Sequence, residues 1–263
     1  MNINSNTEFI NREESLQLVL SLLSEGKTQT NSILEFYGIS GIGKTYFLQE
    51  IKRIIDKQSV HCALVDLSKV QASKPSEATS ILTKNIIEEW RVSSVSLEVE
   101  KIYNFEDFEE TLSGSKRVLI FDGTDEVNSQ LLEWIEHKVL LPLHKLRSVI
   151  LIISGKSSVR WQTYLIRRAV VSHVLQPFSL QATRNLLKQW GYERFADRIH
   201  YLAGGVPLAI KLLARVVNEI EQESHGDLEL SKFGDYEIRL IQAIEDEYIG
   251  GSIIEQLDSD LYR

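Results

Sequence analysis

Gly38-Ile39-Ser40-Gly41-Ile42-Gly43-Lys44-Thr45 is the stretch on which the reading of this chain turns. It fits the pattern G-x-x-x-x-G-K-[ST], whose spacing follows from phosphate chemistry. A polyphosphate packs several negative charges into a small volume. Glycines let the backbone curl so that successive N–H groups point at those oxygens. The Lys44 ammonium then reaches the terminal phosphates, and the Thr45 hydroxyl is placed to ligate Mg²⁺. Gly38, Ser40, Gly41, Ile42 and Gly43, with Tyr46 just beyond, complete the candidate phosphate-binding set. The positive end of a helix starting here adds to the attraction.

The flanks support this reading. Ile33-Leu34-Glu35-Phe36-Tyr37 is a short, mostly apolar run of strand type. After the loop, Phe47, Leu48, Ile51, Ile54 and Ile55 recur at helical spacing. A second informative stretch is Arg117-Val118-Leu119-Ile120-Phe121-Asp122-Gly123-Thr124-Asp125-Glu126. Four apolar residues running into an acid predict a buried parallel strand with a carboxylate at its carboxyl end, where ligands sit in an open α/β sheet. Asp122 there is a candidate Mg²⁺ ligand, acting through water. Asp125 or Glu126 could orient or deprotonate an attacking water. Ser148-Val149-Ile150-Leu151-Ile152-Ile153 predicts another buried strand, leading into Ser154-Gly155-Lys156. Lys156 reads either as a cation facing the γ-phosphate or as a solvated loop lysine.

Composition bounds the rest. The chain has 263 residues, of which 43% are apolar, enough for one large or two modest domains with a core. No apolar run approaches the ~20 residues of a membrane span, and the N-terminus is polar, without a signal region. A single cysteine, Cys62, excludes an internal disulfide framework and points to a reducing, cytoplasmic setting. Six histidines are scattered without metal-type pairing. The formal charge is −8. From Glu219 onward there are thirteen acidic and three basic residues, a net of −10 that leaves +2 on everything before it. A nucleic-acid-coating protein usually carries a basic excess, so the balance argues against that class.

Elsewhere the chain reads as alternating elements. Leu16, Val19, Leu20 and Leu23 predict an amphipathic helix, with Asn11 and Glu14 as a capping box. Arg12 reads as a first-turn surface charge. His61 to Leu67 predicts a strand ending at Asp66, a turn residue or a site residue. Ser68 to Ser76 reads as loop, and Ile81 to Trp90 as a helix with Trp90 in the core. Phe105, Phe108 and Leu112 suggest a short helix. Leu131 to Val139 predicts a helix stopped near Pro142. Arg160, Arg167 and Arg168 read as surface charges or as candidate arginine fingers on a short helix. Val170 to Leu175 predicts a fifth strand. After Pro177 the pattern becomes helical: Leu180 to Trp190, Phe195 to Leu202, and a helix opened by Pro207.

Taken together, these motifs resemble the STAND class of signalling ATPases, which includes the NB-ARC and NACHT modules. Phe9-Ile10-Asn11-Arg12-Glu13 is similar to that family's "hhGRE" lead, with Asn11 in place of glycine. Phe121 to Glu126 looks like the NACHT form of the Walker B strand. Ser154-Gly155-Lys156 sits where the family carries a Ser/Thr-x-Arg sensor, with lysine replacing the arginine. Gly205-Val206-Pro207-Leu208-Ala209 matches the "GxPLA" motif of its helical domain. The resemblance implies that Ile10 and Arg12 border an adenine and that Pro207 packs on it. It further implies a switch in which replacing ADP by ATP reorients domains and permits self-association.

The expected fold is therefore α/β: a P-loop NTPase of ASCE or AAA+ type, a parallel sheet with helices on both faces, followed by a small helical domain. The expected domains are 1–178 for nucleotide, 179–224 for the helical domain carrying GxPLA, and 225–263 as an acidic linker or the start of a further, winged-helix domain. The expected ligands are ATP or ADP with Mg²⁺, and the expected activity is slow hydrolysis to ADP and phosphate. Lys44, Asp122, Asp125, Glu126 and Lys156 are the catalytic candidates, with Thr45 and Asp122 on the metal. The expected partner is a second copy in the ATP state. An AAA+-type initiator or loader acting on DNA is the alternative, and a nucleotide-bound scaffold that never hydrolyses is a third.

Overall fold

The computed structural model describes residues 12–25, 33–58, 60–70, 75–90, 116–146, 148–223 and 241–242. Ile10, the Asn11 cap, the helix expected near Phe105 and the acidic stretch 225–263 lie outside them, apart from a helical pair at 241–242. Among the described residues five strands form one sheet: β1 (Ile33–Tyr37), β2 (His61–Asp66), β3 (Arg117–Asp122), β4 (Val149–Gly155) and β5 (Val170–Val174). Their order is β2-β3-β4-β1-β5 and every pairing is parallel. Parallel neighbours need crossovers, and helices supply most of them. These include α2 (Lys44–Asp56) after β1 and α3 (Pro75–Glu89) after β2, while α1 (Glu13–Glu25) precedes β1.

The apolar runs form strands because both faces of the sheet are covered. β3 and β4 are buried at every position. On one face, Ala63, Val65, Leu119, Phe121, Leu151 and Ile153 join Leu82 and Ile86 of α3, Trp90 just past its end, and Leu131, Ile135 and Val139 in one core. Alternate positions point the other way, and Phe36 of β1 meets Phe47 of α2 edge-to-face at 4.9 Å. Trp90 is fully buried, and its indole N–H donates to Val118 O at 2.9 Å.

The chain divides into two compact units. The α/β unit comprises Glu14–Gly38 and Lys44–Leu175. The described part of the other comprises Arg12, Glu13, Ile39–Gly43, 176–223 and 241–242. It is helical: α7 (Leu180–Gln189), α8 (Ala196–Ala203) and α9 (Pro207–Glu223), with no strand among its described residues. Leu187, Phe195, Ile199, Ile210, Leu213 and Val217 form its core. Ser179 caps α7 by accepting from Ala182 N–H at 3.2 Å.

Three local expectations need correction. The stretch from Ser68 is not all loop: Leu67–Lys69 is a 3₁₀ turn and α3 opens at Pro75. Asp66 caps that turn, accepting from Ser68 N–H at 3.1 Å, so it is a turn residue. The helix α4 (Ser129–Trp134) does not stop at Pro142. It widens into a π segment, Ile135–Leu140, and continues as α5 (Leu141–Lys145). Pro142 sits in the first turn of α5, where a missing N–H is tolerated. Lastly, β4 runs on through Gly155 and takes Ser154 into the sheet.

Candidate nucleotide site

The strand order brings together residues that lie far apart in sequence. β3, β4 and β1 are neighbours, so the segments leaving their carboxyl ends converge. Tyr37, the last residue of β1, is in register with Gly155 of β4. Gly38 N–H then donates to Gly155 O at 3.3 Å. Asp122 closes β3 and is buried; the Ser154 hydroxyl donates to its Oδ1 at 2.5 Å. Gly123 and Thr124 donate their N–H groups to Ser154 O at 3.1 and 2.8 Å. Lys156 N–H donates to Asp125 Oδ1 at 2.8 Å. The Lys156 ammonium lies 3.3 Å from Asp125 Oδ2 and 3.7 Å from Glu126 Oε1. That pairing holds its pKa above the usual lysine value, with the Asp125 hydrogen bond the main cause.

Gly155 is required here by close approach. A Cβ at this position would lie 2.4 Å from Thr124 Oγ1 and 3.3 Å from Asp125 Oδ1. Thr124 is itself buried, so the β3 and β4 tips are locked against each other.

Lys44 opens α2 and donates to Gly38 O at 2.7 Å. Burial lowers its pKa below 10.5; Asp125, Asp122 and Glu126 oppose that shift, while Lys156 adds to it. One half-buried cation thus shares its surroundings with three carboxylates and a second cation. Such an arrangement favours an incoming group that is anionic and metal-bound. Thr45 and Tyr46 are exposed in the first turn of α2. The donors offered to a metal are oxygens, the Thr45 hydroxyl and the Asp122 carboxylate. No cluster of three or more His, Cys, Asp or Glu suited to a metal occurs among the described residues. That set fits Mg²⁺, which takes few protein ligands and keeps its waters.

Residues Ile39–Gly43 of the loop cluster with the helical unit. Gly41 and Gly43 have φ of 76° and 92°, left-handed values that glycine adopts without strain. Ile42 is buried, anchoring the turn, and its N–H donates to Ile39 O at 3.3 Å. Arg12 donates through Nη2 to Ile42 O at 3.0 Å and through Nη1 to Gln176 O at 2.8 Å. Its guanidinium also lies 5.3 Å from the centre of the Phe178 ring. Burial lowers the Arg12 pKa to about 10, partly opposed by Glu13. Arg12 is therefore not a solvated first-turn charge. Leu208 N–H, one residue into α9, donates to Gly41 O at 3.2 Å, which places Pro207 beside the loop within this unit. Gly205 has φ 74°, and a Cβ there would lie 2.4 Å from Phe178 O.

Two buried carboxylates beside the site's elements escape the sequence reading. Glu35, in the middle of β1, is buried and holds the connection after β4. Glu136, in the π segment, is buried and accepts from Gln162 N–H at 3.0 Å and from Thr163 N–H, just before α6 (Tyr164–Ala169). A glutamate inside an otherwise apolar run is the signal that could have exposed the first. Of the three arginines, Arg167 and Arg168 lie on α6 and Arg160 precedes it; all three are exposed.

A parallel sheet with a glycine-lysine loop after β1 and an acid closing β3 defines a P-loop NTPase. The AAA domain family matches residues 27–160, just over half of the chain, and the chain belongs to that family. No curated protein sequence matches it. Among solved structures it is similar to Cdc6p from Pyrobaculum aerophilum, with TM-score 0.61 and 12% identity over 86% of this chain and 65% of that one. It is also similar to the Aeropyrum pernix ORC1 protein in complex with DNA, with TM-score 0.54 and 18% identity over 82% and 61%. A third is domain III of the Thermotoga maritima replication initiation protein DnaA, with TM-score 0.56 and 12% identity over 90% and 94%. The chain thus spans under two thirds of the ORC1 and Cdc6p chains. At these identities the likeness establishes the fold.

Proposed function

We propose that this chain is an AAA+-type ATPase module that binds Mg·ATP, hydrolyses it slowly, and works in a DNA-associated assembly as an initiator or loader does. The observation that carries the ATPase part is the convergence of Lys44, Asp122, Asp125, Glu126 and Lys156 at the carboxyl ends of adjacent strands. The β/γ-phosphates replace Gly38 O as the partner of Lys44. Asp122 and Thr45 would hold Mg²⁺, which would supply neutralising charge to the phosphates. Asp125 or Glu126 takes a proton from water as its oxygen attacks the γ-phosphorus, and the bond to the β–γ bridging oxygen breaks. ADP and phosphate leave. Lys156 faces the γ-phosphate and balances the charge that develops there.

The DNA-associated part is supported by the likeness to an ORC1 protein in complex with DNA and to replication initiators. Fluorescence anisotropy with duplex DNA at several salt concentrations tests it. Binding that weakens steeply with salt is expected. No binding at low salt, with or without ATP, overturns it.

A second reading, a signalling switch of STAND type, is favoured by one observation. The Gly205–Ala209 motif meets the phosphate loop through Leu208 N–H and Gly41 O, and Arg12 braces the same loop. ATP-driven self-association without DNA affinity supports this reading over the first. In either case the expected ligands are ATP or ADP, and a homo-oligomer is the expected ATP-state partner.

A further inference from the structure

Glu35 stands where nothing local favours an acid. It is the third residue of a five-residue buried strand, in register with Ile153 of β4 on one side and Ser172 of β5 on the other. A carboxylate taken from water destabilises the fold by several kcal/mol unless its oxygens are satisfied. Here three donors satisfy them. Glu35 Oε2 accepts from the Ser158 and Ser172 hydroxyls, each at 2.5 Å, and Oε1 accepts from Val159 N–H at 2.9 Å.

Two of those donors, Ser158 and Val159, belong to the connection that leaves β4. That connection starts at Lys156, and only Ser157 separates Lys156 from Ser158. Its near end is fixed by Lys156 N–H on Asp125 Oδ1 and by the Ser154 hydroxyl on Asp122. Its far end is fixed by Glu35. The segment carrying Lys156 is therefore held at both ends by carboxylates, one set at the site and one within the sheet. A loop lysine held at one end only would have a wide choice of positions, whereas this one has few.

We propose that Glu35 is a positioning residue: by clamping Ser158 and Val159 it fixes the Lys156 head for recognition of the γ-phosphate. This rests on the Mg·ATP reading above. Glu35 does not touch the nucleotide. Its effect is confined to what distinguishes ATP from ADP, since the α- and β-phosphates are held by the loop before α2.

Three variants of the full chain test the inference: Glu35→Gln, Ser158→Ala and Ser172→Ala. In Glu35→Gln the amide oxygen can still accept from Val159 N–H, but the NH₂ must donate to the serine hydroxyls, so the charge-assisted serine bonds give way to weaker neutral ones. Ser158→Ala cuts the clamp, while Ser172→Ala removes the β5 bond to the same oxygen, and with it only a long 3.5 Å contact to the Ser158 hydroxyl. Affinities for ATP and ADP are measured by calorimetry with Mg²⁺, alongside the melting temperature. Glu35→Gln and Ser158→Ala are expected to lower the ATP/ADP affinity ratio about tenfold while ADP affinity stays within about twofold of wild type. Ser172→Ala is expected to keep the ratio. If Glu35→Gln does not fold, the two serine variants decide. An unchanged ratio in Ser158→Ala, or an equal fall in both serine variants, overturns the inference and leaves the ATPase reading intact. Wild-type protein that binds neither nucleotide overturns both.

Discussion

Replacing Gly155 by alanine should separate the β3 and β4 tips and remove turnover without abolishing ADP binding. The added Cβ would meet Thr124 Oγ1 at 2.4 Å, about 1 Å closer than ordinary contact allows. Thr124 is buried and cannot swing into solvent. The strand tip must therefore move, and Asp125, whose Oδ1 would lie 3.3 Å from the new atom, moves with it. Overpacking of this size destabilises by about 1–3 kcal/mol. For a domain of this size that is a fall of roughly 2–12 °C in melting temperature. Displacing a catalytic group by about 1 Å lowers turnover roughly 100-fold. Scanning calorimetry and a phosphate-release assay read the two effects. Gly43→Ala is the informative contrast, because a Cβ there meets nothing within 4 Å and the strain comes only from φ of 92°. Its expected loss is about 1–2 kcal/mol. Gly155→Ala with wild-type melting temperature and turnover would refute the packing argument.

Other expectations follow from the same geometry. Glu126→Gln should keep nucleotide binding and remove turnover; the paired variant Asp125→Asn, compared in single-turnover phosphate release, identifies which acid handles the water. Gly205→Ala meets both a backbone oxygen at 2.4 Å and a φ of 74°, so it should destabilise by about 2–4 kcal/mol, read as a lowered denaturant midpoint. Burial lowers the folded-state pKa of Lys44 below 10.5. The unfolded chain then binds more protons than the folded one in the window just below 10.5, so this group's contribution to stability rises with pH there. Urea midpoints measured across that window should lose part of their upward slope in Lys44→Met, and an unaltered slope would count against the burial of Lys44.

The sequence discloses what is local and hides what is distant. The phosphate loop and its flanking strand and helix are contiguous, so spacing alone exposes them. Asp122 is legible for the same reason: an apolar run ending in acid is a strand ending at the ligand edge of a parallel sheet. Arg12 reads as a surface charge in the sequence because its partner Gln176 lies 164 residues away. Glu35 is hidden inside an apolar run because its serine partners lie 123 and 137 residues away. Pro142 reads as a stop signal only if the helix before it is α throughout; a π segment changes which N–H groups are needed. Gly155 looks like any loop glycine until the neighbouring strand tip is placed beside it. At family level, the signalling resemblance draws its specificity from short motifs at Phe9–Glu13 and Gly205–Ala209, outside the matched span, whereas the AAA domain match covers residues 27–160. The broader class is therefore established, and the signalling subclass stays a proposal.

The claim on which the rest depends is that Gly38 to Thr45 holds the phosphates of a magnesium nucleotide. Calorimetric titration of wild-type protein and Lys44→Ala with ATP, in the presence and absence of Mg²⁺, tests it most directly. One saturable, Mg²⁺-strengthened site in wild type that disappears in a folded Lys44→Ala protein is the predicted result. Wild-type protein that takes up no ATP, or a Lys44→Ala protein that binds it equally well, would contradict the account.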